Sequence, residues 1–129
     1  MTISKSELLM GRQKDFITEY TDEVANNIDK LLICLNKFRT AYGKPMIISS
    51  GWRPSAINSS TPGAAKRSNH MLGLACDFRD PDGKLAEYCL NNLPLLEKCG
   101  LWMEDPKFTK NWVHLQSVPP KSKRRVFIP

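Results

Sequence analysis

Several things are missing from this chain, and each absence excludes something. No apolar run among its 129 residues approaches the roughly 20 that a membrane helix needs, so a membrane-spanning helix is excluded. The opening Met1-Thr2-Ile3-Ser4-Lys5-Ser6-Glu7 lacks a charged start followed by an apolar block. No signal peptide is therefore expected, and synthesis in the cytoplasm is, with any action on a cell wall following release or delivery. The four cysteines, Cys34, Cys76, Cys89 and Cys99, never fall into CxxC spacing and read as free thiols, with Cys34 and Cys89 as core fillers. Repeats and low-complexity tracts are lacking. Histidine is the scarcest functional residue, with only His70 and His114.

A chain of this length is long enough for one hydrophobic core but not two, so one domain over residues 1–129 is expected, as a monomer. The net charge of +6 points to an anionic partner. Much of the excess lies at Lys121-Ser122-Lys123-Arg124-Arg125, within a basic tail at 119–129 that reads as solvated. No interleaved aromatics or recognised motif accompany these charges, so neither nucleic acid nor membrane is an expected partner.

Ser4 and Glu7 have capping-box spacing ahead of a short opening helix, and residues 11–20 read as irregular. Val24, Ile28, Leu31, Leu32, Leu35 and Phe38 recur at helical spacing from a Thr21 cap to Gly43. Strands are predicted over 46–50 and 72–78, separated by a loop of about twenty residues over 52–71; a loop that long is usually functional or disordered. Helices follow over 84–91 and from Pro94 to Gly100, then a hairpin of 101–104 with 112–116. This order predicts an α+β fold, a small and largely antiparallel sheet packed against a few helices.

Both histidines sit where a zinc ion would need them. His70 precedes Asp77 by seven residues, about 10 Å on a straight helix and about 23 Å along a strand. Both side chains reach one ion only if the chain turns between them, and Gly73 supplies the backbone for that turn. His114 would join from a distant strand. Two imidazoles and a carboxylate form the three-ligand, open-position layout of hydrolytic zinc. Cys76 is a candidate soft ligand, but on a strand it turns away from whatever Asp77 binds.

The segment Ser68-x-His70-x-x-Gly73-x-Ala75-x-Asp77, with Trp112-Val113-His114 far downstream, resembles the zinc D-Ala-D-Ala carboxypeptidase family. That family includes the L-alanyl-D-glutamate endopeptidases of phage lysins and shares its fold with Hedgehog domains. Ser50-Gly51-Trp52-Arg53-Pro54, followed by Asn58, is similar to the family's Ser-Gly-aromatic-Arg segment. The resemblance runs in order from about residue 46 to 116. It implies that His70, Asp77 and His114 hold Zn2+, that Arg53 holds the substrate carbonyl or developing oxyanion, and that Ser68 lines the pocket beside Trp112. It implies hydrolysis of peptidoglycan stem peptides next to a D-amino acid, as a D,D-carboxypeptidase or an L-alanyl-D-glutamate endopeptidase of phage or bacterial origin.

One position departs from the pattern. The family commonly carries a Glu or Asp three residues before the last histidine as general base; here Asn111 stands there and accepts no proton. Pairing Glu104 with Trp112 in the hairpin would put Glu104 diagonal to His114 and nominates it as base, with Asp105 as the alternative should the register slip by one. A zinc-containing binding module without catalysis, taking wall peptide or a protein partner, is the alternative that Asn111 permits, and a nucleic-acid role for the tail is a third.

Overall fold

The computed structural model describes residues 2–129. Helix α1 (Lys5–Leu9) starts at Ser4, whose side chain accepts from the Glu7 N–H while Glu7 accepts from the Ser4 N–H. Helix α2 (Asp22–Tyr42) is capped by Thr21 and stopped by Gly43 at φ 74°. Its buried stripe is Val24, Ile28, Leu31, Leu35 and Phe38, while Leu32 is only partly buried. Helix α3 (Ser55–Ser59) lies inside the expected long loop. Helices α4 (Lys84–Asn91) and α5 (Leu93–Cys99) follow, the second with Pro94 in its first turn and Gly100 at its end.

The strands are β1 (Ile48–Ser50), β2 (Ala75–Arg79), β3 (Trp102–Glu104), β4 (Trp112–Gln116) and β5 (Val126–Phe127). They form one five-stranded sheet in the order β1-β2-β4-β3-β5, antiparallel except where β5 runs parallel to β3. The fold is α+β.

Three expectations need correction. The strand expected over 72–78 begins only at Ala75, because Gly73 at φ 76° turns the chain just before it. A β-carbon there would lie 2.7 Å from Ile28 Cγ1, so the turn is pressed onto α2 and only glycine fits. The expected strand 46–50 likewise starts late, at Ile48. The tail is not wholly solvated either. The Met103 N–H donates to Arg125 O at 2.9 Å and the Asp105 N–H to Phe127 O at 2.7 Å, and the Arg125 guanidinium sits 4.4 Å from the Trp102 ring centroid. Two apolar residues beyond the basic run, Val126 and Phe127, satisfy an otherwise open sheet edge.

Strand alternation gives the sheet two faces. Cys76 and Phe78 of β2, Met103 of β3, and Val113 and Leu115 of β4 are buried in the core with α2, α4 and α5. Asp77, Glu104, His114 and Gln116 have the opposite parity and share the other face. Of the cysteines, Cys76 and Cys89 are fully buried, and burial pushes the Cys89 thiol up to about 12. Cys34 is only partly buried against the core, and all four are free.

Asp80, just past β2, is buried and accepts from the Leu85 and Ala86 N–H groups at 2.9 Å each, anchoring the start of α4 to the sheet. Asp80→Ala leaves both donors unpaired and is expected to cost about 1–3 kcal/mol. A urea denaturation midpoint unchanged from the parent chain would contradict this.

Candidate metal centre

Strand pairing places one residue from each strand in a single lateral row. Ser50 pairs with Asp77, and Asp77 lies directly opposite His114. On the other side of β4, Trp102 pairs with Gln116 and Met103 with Leu115. The next step in that register sets Glu104 opposite His114, and Glu104 in turn pairs with Phe127. The hairpin therefore differs by two residues from the pairing expected from sequence. Glu104 is the direct neighbour of His114, not its diagonal one, and Trp112 pairs across to Arg79 alone. A two-residue shift preserves the faces, so Glu104 stays on the side of His114.

The cause lies in the connection. Asp105 caps a 3-10 turn, Pro106–Phe108, by accepting from the Lys107 N–H, and Asn111 adopts the left-handed conformation at φ 72°. These turns consume residues before β4 begins to pair with β3. Asn tolerates the left-handed region better than Asp's longer homologue Glu or any β-branched residue. Asn111 O also accepts from the Asp80 N–H at 2.8 Å, so this residue is engaged as a turn element.

His70 reaches the row from the turn after α3. Ser68 Oγ accepts from the His70 N–H at 3.1 Å, and the Arg53 N–H donates to His70 O. The His70 ring is 2% exposed, with Nδ1 at 2.9 Å from Gly51 O and Nε2 at 3.1 Å from Asp77 Oδ1. Gly51 is required there by close packing, since a β-carbon would fall 2.0 Å from Leu8 O. His114 presents Nδ1 to the same Asp77 Oδ1 at 2.9 Å and Nε2 to Gln116 Oε1 at 2.8 Å. The ligand atoms of His70, Asp77 and His114 all lie within 4.8 Å of one another, close enough for one ion.

Asp77's second oxygen is held by Arg53, whose Nη2 donates to Oδ2 at 3.0 Å. Arg53 Nε donates to Ser50 Oγ at 2.8 Å, and Nη1 reaches Asn58 Oδ1 at 3.5 Å. Asn58 in turn donates to Ala65 O, tying α3 to the loop behind it. Arg53 therefore fixes the carboxylate so that Oδ1 faces both rings.

Charge and proton balance test whether these residues suit a metal. Burial opposes ionisation of Asp77, but the two rings outweigh it and hold the carboxyl down to about 2. Burial lowers the His70 pKa, with Asp77 opposing, which favours the neutral ring. Burial also works against a charged His114, but Asp77, Gln116 and Glu104 outweigh it and the net shift is upward. Gly51 O only accepts, so the one proton of neutral His70 sits on Nδ1 and its Nε2 lone pair faces a carboxylate oxygen. In that neutral form no proton lies between Nε2 and Asp77 Oδ1, whereas a charged ring would donate there and is the form that holds the carboxyl low. A cation at the meeting point of the three atoms satisfies the neutral form, so the donor set fits a divalent metal such as zinc.

These groups line a cleft of about 1020 Å³, large enough for a peptide. Glu104 is half-buried there, and its carboxyl is raised by burial, with His114 partly opposing. Trp112 and Phe108 border the cleft, as do Arg67 and Arg79, both exposed. Asp105 does not line it. Sequence reading passed over Gln116, Asn69 and Phe127. Gln116 was within reach of a sequence argument, standing two residues beyond His114 on one strand and hence on the same face. Phe127 packs edge-on to His114, with ring centroids 6.0 Å apart, and no local pattern foretells it.

A family model described as Peptidase M15 matches residues 4–116. No curated protein and no solved structure matches the chain.

Proposed function

The chain belongs to the peptidase M15 family, and from that premise we propose that it is a zinc-dependent hydrolase cleaving peptidoglycan stem peptides beside a D-amino acid. The observation that carries this reading is the lateral row in which His114 stands between Asp77 and Glu104, with His70 Nε2 converging on the same carboxylate oxygen. In this reading His70, Asp77 and His114 hold the ion. A zinc ion bound there supplies Lewis acidity toward a peptide carbonyl and toward water.

The chain's own groups do the rest. Glu104, held half-dry across from His114, accepts the proton of the attacking water at its carboxylate and returns it to the leaving amine. Asp105 is spent on its 3-10 turn and Asn111 on its left-handed turn, which favours Glu104 for this task. Arg53 has five N–H donors, of which three are engaged, so one hydrogen on each Nη is left to orient a substrate carbonyl. Ser68 shapes the His70 turn at the cleft wall, and Trp112 offers an apolar face to the peptide. Stem peptides carry free carboxylates, and Arg67 and Arg79 give the cleft an excess of positive charge to receive them. The proposal covers D,D-carboxypeptidase and L-alanyl-D-glutamate endopeptidase activity alike.

Zinc-loaded protein incubated with purified muropeptides is expected to release new fragments, read by mass spectrometry. Chelation should abolish the release and added zinc restore it. Absence of new fragments from every stem-peptide type would sink the proposal and leave the non-catalytic binding module.

A further inference from the structure

Gln116 is 3% exposed, and its amide orientation is determined by its surroundings. The Nε2 group donates to Val118 O at 2.8 Å, and a backbone carbonyl accepts only, so Oε1 must point the other way. On that side Asn69 Nδ2 donates to Oε1 at 3.3 Å, which reinforces the same orientation. His114 Nε2 meets this oxygen at 2.8 Å. Gln116 thus offers His114 only lone pairs, and the ring must place a proton on Nε2 to satisfy them. The lone pair of a neutral His114 is then left on Nδ1, the atom 2.9 Å from Asp77 Oδ1.

We infer that the Asn69–Gln116 pair is a positioning device that selects Nδ1 of His114 as the metal-ligating atom and locks the ring plane toward His70 and Asp77. The inference rests on the zinc reading above and extends it to residues outside the ligand set. Its two members come from the two histidine-bearing segments: Asn69 directly precedes His70, and Gln116 follows His114 by two on β4. The Asn69–Gln116 bond therefore ties the two segments together, and the His114–Gln116 bond at the same oxygen selects the tautomer. Residues of this kind hold metal ligands in place, and their loss typically costs about 10–100-fold in metal affinity.

With only two histidines, the ring nitrogens give four 15N signals in this chain. In the zinc-loaded parent protein, His114 should show a protonated Nε2 and a metal-bound Nδ1. Gln116→Leu, near in shape but without an acceptor, should release that Nε2 proton from its hydrogen bond. Zinc affinity, measured by competition with a chromogenic chelator, should fall about 10–100-fold. Gln116→Glu keeps an acceptor and should restore the ring signature. Asn69→Ala, which leaves β4 untouched, should weaken zinc binding in the same direction by less, and it keeps the test alive if Gln116→Leu does not fold. A parent protein that takes up no zinc overturns the metal reading itself. Zinc uptake through Nδ1 with unchanged affinity and unchanged shifts in the folded variants overturns only the role given to Gln116 and Asn69.

Discussion

Glu104→Gln is expected to lower peptide turnover by about 10²–10⁴-fold while leaving bound zinc and thermal stability close to the parent values. The exchange preserves shape and removes only the capacity to take a proton. Glu104 is half-buried, and burial and the nearby His114 and Asp77 charges, with no side-chain hydrogen bond, set its ionisation, so little stability should be lost with its charge. Asp105→Asn, by contrast, keeps an oxygen able to accept from the Lys107 N–H and should leave turnover within a few fold. Steady-state rates on a stem peptide, with zinc content measured alongside, separate the two. If Glu104→Gln retained full turnover and Asp105→Asn lost it, the proton-transfer role would pass to Asp105. If neither mattered while the peptide was still cleaved, a general base in this hairpin would be excluded.

Asp77→Ala should be the most damaging substitution in the chain. Asp77 touches both histidines through one oxygen and Arg53 through the other, with the Arg53 and Asp77 side chains only 8% and 5% exposed. On the proposed zinc reading its removal should abolish zinc binding, and it strands the guanidinium in a dry site. Breaking a buried pair from one side costs about 3–5 kcal/mol, a large share of the 5–15 kcal/mol typical of a domain. Urea denaturation of the chelator-treated chain reads this cost apart from any stabilisation by zinc. Asp77→Asn keeps an acceptor for Arg53 and should lose less stability, though it leaves the positive charge unbalanced. A loss below about 1 kcal/mol for Asp77→Ala would mean that the Arg53 pair contributes little.

Much of this was legible from local sequence. The capping box at Ser4, the α2 stripe and the Gly73 turn all follow from short-range rules, and each stands in the structure. Helix periodicity and strand alternation are properties of neighbouring residues, so a linear pattern encodes them directly. Strand alternation also fixed which residues could share a face: Asp77 away from Cys76, and His114 with Gln116. Element boundaries were less legible: residues 72–73 belong to a turn pressed onto α2, while Met46 and Ile47 fall outside β1 although Ile47 O accepts from the Arg79 N–H. The strand β5 was missed for a related reason. Two apolar residues after a basic run have no periodicity to announce them, and only the open edge of β3 gives them a partner.

By itself, then, the sequence determined the chemistry available: two histidines, one well-placed aspartate, an arginine in a recognisable segment, and no acid at residue 111. The tertiary structure decided how those groups meet. It set the hairpin register that stands Glu104 directly beside His114, the Arg53 grip on Asp77, and the Asn69–Gln116 bond across 47 residues of chain. The reason is physical. Side-chain identity and strand parity are local, whereas register follows from how a 3-10 turn and a left-handed Asn111 use up a connecting loop. Hydrogen bonds between distant segments form only once the packed sheet has brought those segments together.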